Sequence, residues 1–513
     1  MKQNEHATLG SANEIELATA KIKPLLTRLR RQRMTLKAAL HLAIRQLVTA
    51  GELKTLSRLP PSRRLASALG ISRDTVELTY AQLEAEGYLA RTVGRGSFVS
   101  YRNSPLIGRE LLAADATAQA SLTEQALSAS GRVLLVSGYT PHAGLVGALT
   151  PSAPDLRQFP IDNWLQLEKS AVRHHTEQLL GYGDPQGLVA LRSEIVDYLR
   201  RERGVKATAE QVVIVSSSQQ ALSLCTQVLF NAGDAVFVEE PGYQGAKKLV
   251  CAAGLRAIPI EVDPRGINVD QLVATRPSGR GVYVTPSHHY PLGHSLDIDR
   301  RLGLLAWARQ ENAWIIEDDY DSEFTYHGMP TASLQGLDQH QRTLYIGTFS
   351  KTLFPGLRLG FIIVPPSLII PMVAAKQLQD GCTATLSQAT LYAFLRSDGY
   401  TEHLRNMRLL YKARLDILFA AVNQYLAAWT RPHLPQGGLQ LVCPLVDAAT
   451  ERRLVAAGAE QGIRLYGLAD FYTDTPGQGA LVLGFAAYTP SEIVQFIKRL
   501  AQIFAALPMP KNR

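Results

Sequence analysis

Polar side chains follow three apolar runs of the chain, each at the point where the run ends. The runs are residues 212–215, 314–317 and 343–347, and the reactive or hydrogen-bonding residues beyond them are Ser217, Ser218, Gln219, Asp318, Tyr320, Thr348, Ser350, Lys351 and Arg358. Short, continuously apolar runs are typical of parallel strands covered on both faces. Because ligands of open α/β sheets bind beyond the carboxyl ends of the strands, the sequence predicts that these side chains share one crevice.

This set of side chains matches the chemical needs of pyridoxal 5′-phosphate. The cofactor requires a lysine amine for its Schiff base and a carboxylate that keeps its pyridine nitrogen protonated. Its phosphate suits hydroxyls and free N–H groups at a helix start, as well as arginine, whose planar fork donates two hydrogen bonds. Each feature alone is weak evidence, since Asp318 could simply cap the next element. Together, at one sheet edge, they predict a pyridoxal phosphate site.

These residues must be positioned by secondary-structure elements, and the pattern of those elements predicts an α/β domain over residues 151–375. Strand-like runs there alternate with helical stretches, and the further runs are residues 235–238, 281–285 and 359–364. Residues 376–508 are mostly of helical character and end with two strand-like runs, near 438–442 and 480–485. We therefore predict a small C-terminal α+β domain at 376–508.

The positive charge of the chain is concentrated near its start. The formal net charge is +8, and residues 1–110 hold 18 Lys and Arg against 9 Asp and Glu. A basic module on a nearly neutral body is typical of proteins that bind a polyanion. The hydrophobic content of 46% and charged content of 19% exclude disorder as a description of the chain.

The basic segment has the pattern of a winged helix-turn-helix over residues 36–101. Helical spacing is present at 36–50, 63–69 and 72–86, and two strand-like runs, 88–92 and 97–101, flank a glycine-rich turn. The third helix would enter the major groove of double-stranded DNA. The residues expected to contact DNA are Arg63, Arg64, Ser72, Arg73, Thr75, Arg95 and Gly96. Residues 1–35 form an N-terminal extension in this interpretation, and 102–150 form a linker.

The amino-acid sequence of this segment is specific enough to indicate a protein family. Residues 59–99 read LPPSRRLASALGISRDTVELTYAQLEAEGYLARTVGRGSFV and resemble the DNA-binding heads of the GntR family of bacterial repressors. Residues from about 150 to 508 resemble fold-type I aminotransferases, through GYGDPQG, EEPGYQG, IIEDDYDSEF and GTFSKTLFPGLRLGF. The combination resembles the MocR/GabR family of transcriptional regulators, which implies a winged helix-turn-helix head fused to a pyridoxal-phosphate-binding transferase fold.

The resemblance implies a role for each site residue. Lys351 would form the Schiff base with pyridoxal phosphate, Asp318 would pair with the pyridine nitrogen, and Tyr320 with the phenolic oxygen. Tyr243 would lie over the ring. The phosphate would be bound by Ser217, Ser218, Gln219, Thr348, Ser350 and Arg358. Tyr182 would reach the cofactor phosphate of a partner subunit, which implies a homodimer.

One departure from the enzymes bears on activity. Many aminotransferases carry an arginine for the substrate carboxylate in a strand that here reads ALVLGF, and Val482 stands in its place. We therefore expect no physiological turnover and a site that senses an amine, an amino acid or pyridoxal phosphate itself. The alternatives are an authentic aminotransferase with an accessory head, and a repressor whose body is only a dimerisation scaffold. Arg405, Arg408 and Arg414 are expected to be surface charges of a helix.

Other features predict the compartment. The first residues lack the apolar core of a signal peptide, no uninterrupted apolar run is long enough for a membrane span, and the four cysteines form no C-x-x-C pair. We therefore expect a cytoplasmic protein with reduced thiols, no structural metal and no membrane partner. His288 and His289 occupy the segment where related enzymes place an Asn near the phenolic oxygen, and either of them could contact the cofactor.

Overall fold

The computed structural model describes residues 3–30, 34–92, 96–100, 126–137, 146–327, 331–473 and 478–507. The chain divides into two compact units, Met1–Ala126 and Leu127–Arg513. Across these described residues, no helix has both the length and the apolar character that a membrane crossing requires.

The smaller unit is a winged helix-turn-helix, as the sequence predicts. Its elements are α1 (Gln3–Arg30), α2 (Leu36–Thr49), α3 (Ser62–Leu69), α4 (Arg73–Ala85), β1 (Leu89–Thr92) and β2 (Gly96–Val99). The two strands form an antiparallel hairpin in which Leu89 lies opposite Val99. Gly70 ends α3 in the left-handed conformation, with φ 65°, a backbone geometry that glycine adopts without steric cost.

The first helix belongs to the core of this unit. Ala18, Ile22, Leu26 and Leu29 are buried and belong to the apolar core of the head, in which α1 packs against α2 and α3. They are spaced four, four and three residues apart, which places them on one face of a helix. The segment that sequence reasoning set aside as an extension thus supplies one wall of the head.

The larger unit contains the remaining elements. Its described helices are α5 (Ala129–Ser137), α6 (Ile161–Leu180), α7 (Val189–Arg203), α8 (Ser218–Leu229), α9 (Gln244–Ala252), α10 (Val269–Ala274), α11 (Ile298–Gln310), α12 (Leu334–Leu337), α13 (Ile369–Asp380), α14 (Thr385–Arg396), α15 (Gly399–Tyr425), α16 (Ala448–Glu460) and α17 (Pro490–Ala506). Its described strands are β3 (Val146–Gly147), β4 (Val212–Val215), β5 (Ala235–Glu240), β6 (Arg256–Asp263), β7 (Gly266–Ile267), β8 (Gly281–Val284), β9 (Trp314–Asp319), β10 (Thr343–Thr348), β11 (Gly360–Ile363), β12 (Gln440–Pro444), β13 (Ile463–Arg464) and β14 (Ala480–Gly484).

An eight-stranded sheet forms the centre of this unit, in the order β4-β11-β10-β9-β8-β5-β6-β7. The strands from β10 to β6 in this order are parallel, whereas β11 is antiparallel to both β10 and β4, and β7 is antiparallel to β6. Sequence reasoning missed β6 and β7, because β6 includes Arg256, Pro259 and Glu261 and so lacks the continuous apolar run of the central strands. In the C-terminal part, β12 pairs with β14 in an antiparallel ladder. The predicted aminotransferase-type α/β fold is confirmed, and its two predicted parts, 151–375 and 376–508, lie within one compact unit.

The stretch 102–150 contains more structure than a linker needs. Helix α5 packs against α9, and β3 pairs in parallel with β13 of the C-terminal part. The second half of the stretch therefore belongs to the larger unit, since the division between the units falls at Ala126.

A buried ion pair fixes the end of β9 against α7. The Arg203 guanidinium donates to Asp319 over 2.8 Å, and the two side chains are 6% and 1% exposed. Arg203 also donates to the Ser287 hydroxyl, and Tyr345 donates its hydroxyl to the same Asp319 oxygen over 2.6 Å. Because removal of one partner strands the other charge in a low-dielectric interior, this pair is costly to break.

We predict that Arg203→Met destabilises the larger unit by about 3–5 kcal/mol. All four tryptophans of the chain lie in that unit, so urea unfolding followed by tryptophan fluorescence reports on it. The matched control is Arg200→Met on the same helix, because Arg200 pairs with Asp197 at the surface, where the side chains are 58% and 53% exposed. That change should cost about 0–1 kcal/mol. Equal shifts for the two variants would contradict the importance of the buried pair.

Candidate functional site

One cavity of about 340 Å³ lies at the sheet edge where β4, β9 and β10 end. Nearly all of the predicted cofactor residues line it, namely Ser217, Ser218, Gln219, Tyr243, Asp318, Tyr320, Thr348, Ser350, Lys351 and Arg358. The exception is Tyr182, which is fully exposed. The tertiary structure thus brings together residues that are up to 141 positions apart in the sequence, from Ser217 to Arg358.

The start of α8 forms one end of the cavity. Ser217 caps this helix, and its side-chain oxygen accepts a hydrogen bond from the backbone N–H of Gln220. Unpaired N–H groups in the first turn of a helix and the helix dipole favour an anion such as a phosphate. The loop after β10 adds hydroxyls, because Thr348 donates to Ser350 over 3.1 Å and both line the cavity.

Asp318 carries the carboxylate of the site and is completely enclosed. Its Oδ2 accepts a hydrogen bond from the Tyr283 hydroxyl over 2.7 Å, whereas its Oδ1 has no hydrogen-bond partner within the described parts of the chain. Burial raises the pKa of Asp318 to about 7, although the Tyr283 hydroxyl favours the charged form. A protonated ring nitrogen facing Oδ1 would satisfy this oxygen and stabilise the carboxylate. The residue therefore fits the pyridine nitrogen of pyridoxal phosphate.

Lys351 follows β10 and faces the same space. Burial lowers the pKa of its amine, and the negative charges of Asp321 and Asp318 oppose this effect only in part. Because desolvation disfavours the ammonium form, the neutral amine that can attack a carbonyl carbon becomes more populated. The position and chemistry of Lys351 thus fit a Schiff-base lysine.

Aromatic rings also line the cavity, and the sequence analysis did not predict all of them. Tyr243 accepts a hydrogen bond on its hydroxyl from the Gln219 side chain over 3.0 Å. Tyr290 makes edge-on contacts with Tyr243 and Tyr320, at centroid distances of 5.9 and 5.7 Å. The lining residues that the sequence analysis did not single out are Pro151, Ser152, Tyr283, Thr285, Tyr290 and Pro355. For Tyr283 a signal was present, since it lies next to the carboxyl end of the predicted strand 281–285.

Neither histidine of the predicted segment lines the cavity. His288 Nδ1 lies 2.9 Å from Asp321 Oδ1, and both side chains are almost fully buried. His289 lies 3.7 Å from Glu239, and burial lowers the pKa of this histidine to about 3, so that it is neutral. His288 thus contacts Asp321, whose negative charge acts to raise the pKa of Lys351.

The expectation of surface charges is wrong for Arg414. Its side chain is 4% exposed and pairs with the buried Asp155 over 2.7 Å, besides donating to the Ala486 carbonyl. Arg408 is half-buried and donates to the Glu323 carbonyl, and only Arg405 is exposed. Helical spacing alone could not reveal the partner of Arg414, because Asp155 lies 259 residues away.

Val482 lies in β14, with its side chain fully buried opposite Val442. It belongs to an apolar cluster with Leu468, Phe471 and Ala480, against which Tyr290 packs. The position where related enzymes place an arginine is therefore part of an apolar wall behind the cavity.

The head presents its predicted DNA-binding residues in three places. Ser72 caps α4, and its hydroxyl lies 2.7 Å from that of Thr75. Arg73 is exposed at the start of the same helix, as are Arg63 and Arg64 at the start of α3. These positions fit a recognition helix and its phosphate contacts.

The third group of predicted DNA-binding residues lies on the wing, which is the hairpin of β1 and β2. Gly96 has φ 107° and is exposed, and a Cβ atom there would lie 3.1 Å from Nε of Arg58. Arg95 lies outside the described residues. Arg58, which sequence reasoning missed, thus packs beside the described end of the wing.

Comparison with known proteins matches each unit separately. The family described as "Bacterial regulatory proteins, gntR family" matches residues 36–99. The family "Aminotransferase class I and II" matches residues 151–500. A relative that carries both parts is the probable rhizopine catabolism regulatory protein MocR of Rhizobium meliloti, which is 36% identical over 472 residues and covers 91% of this chain and 93% of its own.

The chain belongs to the MocR family. Another member, the pyridoxine biosynthesis transcriptional regulator PdxR of Corynebacterium glutamicum, is 30% identical and covers 87% of this chain and 90% of its own. Among solved structures, the kynurenine aminotransferase of Pyrococcus horikoshii, in complex with PMP, matches with a TM-score of 0.67 and 26% identity. That match covers 76% of this chain and 97% of the enzyme. The MocR-type body thus has the fold of the aminotransferases.

We predict that Tyr283→Phe weakens cofactor retention at acidic pH. The lost hydroxyl favours the ionised Asp318, so its removal raises the carboxyl pKa further above its ordinary value. A charged hydrogen bond is worth about 1.5–3 kcal/mol, which corresponds to a shift of about one pH unit or more. The midpoint pH at which bound pyridoxal phosphate is lost during dialysis, read from its absorbance, should therefore move upward.

The matched control is Tyr345→Phe. It removes an equivalent hydroxyl from Asp319, whose oxygen also pairs with Arg203 and which does not line the cavity. That variant should keep the midpoint of the unmodified protein. An unchanged midpoint in Tyr283→Phe would show that the Tyr283 hydroxyl does not support Asp318.

Proposed function

We propose that the protein is a pyridoxal-phosphate-dependent transcriptional regulator that binds operator DNA through its head and senses a small amine, an amino acid or the cofactor itself through its body. The observation that carries this proposal is the single cavity that collects Lys351, Asp318, Tyr320 and Arg358 on a chain with a winged helix-turn-helix head. The names of two relatives support it, since both are regulators of small-molecule metabolism.

Each cavity residue has a role toward pyridoxal phosphate in this proposal. When bound, the cofactor supplies a carbonyl carbon that links reversibly to a primary amine. Lys351 provides that amine, Asp318 holds a proton on the ring nitrogen through its free Oδ1, and Tyr320 donates to the phenolic oxygen. Tyr243 covers one ring face. The phosphate is held by Ser217, Ser218, Gln219, Thr348, Ser350 and Arg358.

The head binds double-stranded DNA with α4 in the major groove. Arg73, Ser72 and Thr75 lie at the amino-terminal end of that helix, which faces the bases in such complexes. Arg63 and Arg64 are exposed at the start of α3 and reach phosphates. The wing, with Arg95 and Gly96, contacts the adjacent minor groove.

The body forms a homodimer in this proposal. Tyr182 belongs to the GYGDPQG motif at 181–187 and is fully exposed. Its neighbour Gly183 packs against Thr385 and Cys382, close to the end of α13, where Leu378 is 87% exposed. In a dimer whose second copy covers these side chains, Tyr182 of one subunit would contact the cofactor phosphate of the other subunit. The two heads of the dimer would then bind two operator half-sites. Because the heads are linked, the second one binds at a high effective concentration, which raises the overall affinity for the operator.

The effector acts by differential binding to two states of the body. A ligand that binds one state more tightly shifts the population toward it, and the operator affinity follows by linkage. Turnover is not required for this response. An authentic aminotransferase would instead show steady-state rates in the range of about 1–1000 s⁻¹ with common amino donors, a measurement that separates the two functions.

We predict that Lys351→Ala abolishes the covalent link to pyridoxal phosphate. Borohydride reduction of the unmodified protein should add the mass of one reduced cofactor to the peptide containing Lys351, and the near-ultraviolet to violet absorbance should be present. The variant should lack both. Lys412→Ala is the control, because Lys412 is exposed and pairs with Asp416 outside the cavity. A borohydride-fixed cofactor in Lys351→Ala would show that another lysine carries the link.

We predict that Arg73→Ala lowers sequence discrimination by about 1–3 kcal/mol, the value of one good base contact. The operator for this experiment is selected from random DNA by repeated binding to the full chain. Affinity for that operator should fall, whereas affinity for random DNA should change little. If both affinities fall equally and the salt slope drops by about one unit, Arg73 contacts phosphate only, and base recognition rests on Ser72 or Thr75.

A further inference from the structure

We propose that the effector is a primary amine with an uncharged aromatic or alkyl tail and no carboxylate. This inference rests on the proposed function and names the ligand class of the same cavity. The tail would lie against the part of the cavity formed by Tyr290, Pro151 and Tyr243, which we call the tail compartment, and the amine would point toward Lys351.

The tail compartment has an aromatic wall. Tyr290 lines the cavity, and three rings, those of Tyr243, Tyr320 and Phe471, meet it edge-on at centroid distances of 5.3 to 5.9 Å. This packing fixes the ring of Tyr290 in one orientation. Apolar and aromatic groups bind such surfaces through buried area and ring geometry, so the wall favours a carbon-rich tail.

The layer behind Tyr290 is also apolar. Val482 is completely buried beside Phe471 and Leu468, and Val442 lies opposite it in the β12–β14 ladder. A charged group of a ligand next to this layer would lose its hydrating water and gain no partner in return. Burial of an unpaired charge costs free energy, so such a ligand would bind less tightly.

The cationic groups of the cavity are already assigned. Among the described lining residues they are Lys351 and Arg358. Arg358 belongs to the phosphate end, because the neighbouring Leu359 carbonyl accepts a hydrogen bond from the N–H of Phe349, between Thr348 and Ser350. A carboxylate of the effector would have to compete with the cofactor phosphate for this guanidinium.

Two arginines of the C-terminal part, Arg414 and Arg464, have partners of their own. Arg414 is held by Asp155 and by the Ala486 carbonyl, and Arg464 lies over the ring of Tyr466 at 4.7 Å. The chemistry available to a tail is therefore aromatic and hydroxylic, with Ser152 and Tyr290 supplying the hydroxyls.

Matched pairs of ligands test this inference on the cofactor-loaded full chain. Each pair has an identical tail and differs only by the carboxylate, as in 2-phenylethylamine against phenylalanine and pentylamine against 2-aminohexanoate. Binding is measured by calorimetry and by the change in the cofactor absorbance. We expect each amine to bind at least about tenfold more tightly than its amino acid, because the carboxylate has no cationic partner in the compartment.

The possible results distinguish failure of this inference from failure of the proposed function. Equal or tighter binding of the amino acids overturns the inference while the proposed function stands. Binding of added pyridoxal phosphate at a second stoichiometric equivalent, with no response to any amine, also overturns it. A protein that carries no borohydride-reducible cofactor contradicts the proposed function itself, and the inference falls with it.

Introducing a cation should reverse the preference. Tyr290→Arg places a guanidinium on the cavity wall and should improve phenylalanine binding at least about tenfold relative to 2-phenylethylamine. Leu409→Arg is the control, since it adds a guanidinium at an exposed position that does not line the cavity and should keep the preference for the amine. Val482→Arg is a second variant that places the charge in the layer behind the wall. Its thermal unfolding midpoint is measured first, because the position is fully buried. If folded cationic variants keep the preference of the unmodified protein, the compartment does not contact the tail.

Discussion

The structure depends on how four acidic residues at the end of β9 are accommodated in the interior. Glu317, Asp318, Asp319 and Asp321 are all buried within five positions of the chain. Unpaired carboxylates at such a density would repel one another and lose their hydration, a cost of several kcal/mol for each ion. Each one therefore has its own partner, contributed by a different element, and these partners fix the arrangement of the site.

The partners divide the acidic residues by function. Glu317 accepts the backbone N–H groups of Leu334 and Gln335 at the start of α12. Burial acts to raise the pKa of Asp319, but Arg203 and Tyr345 outweigh it and hold that pKa below its ordinary value. Asp318 accepts a hydrogen bond from the Tyr283 hydroxyl, and its Oδ1 has no partner among the described residues, as is also true of Asp319 Oδ1 and Asp321 Oδ2. What distinguishes Asp318 from the other three acidic residues is its position, because it is the one that lines the cavity.

The same division explains why a regulator could retain an enzyme's cofactor site. In the proposed function, Asp318, Lys351 and the start of α8 would bind the cofactor. Recognition of the rest of an incoming amine would depend on the far wall, where Tyr290 packs on the buried Val482 and Phe471. A change in this wall alters which amine binds without disturbing the charges that hold the cofactor. In these proposals Tyr290 would contact only the tail of the amine, whereas Tyr243 would border both the cofactor ring and the tail.

The sequence by itself determined the two parts of the chain, the winged helix-turn-helix, and the cofactor residues at three strand ends. These features are local, because caps, apolar periodicity and strand ends are set by residues a few positions apart. Only the tertiary structure decided the antiparallel placement of β11, the packing of α1 into the head, and the partners of Asp318, Asp319 and Arg414. Those three partners lie 35, 116 and 259 residues away. Such pairs are chosen by the packing of whole elements against one another, which no local pattern in the chain encodes.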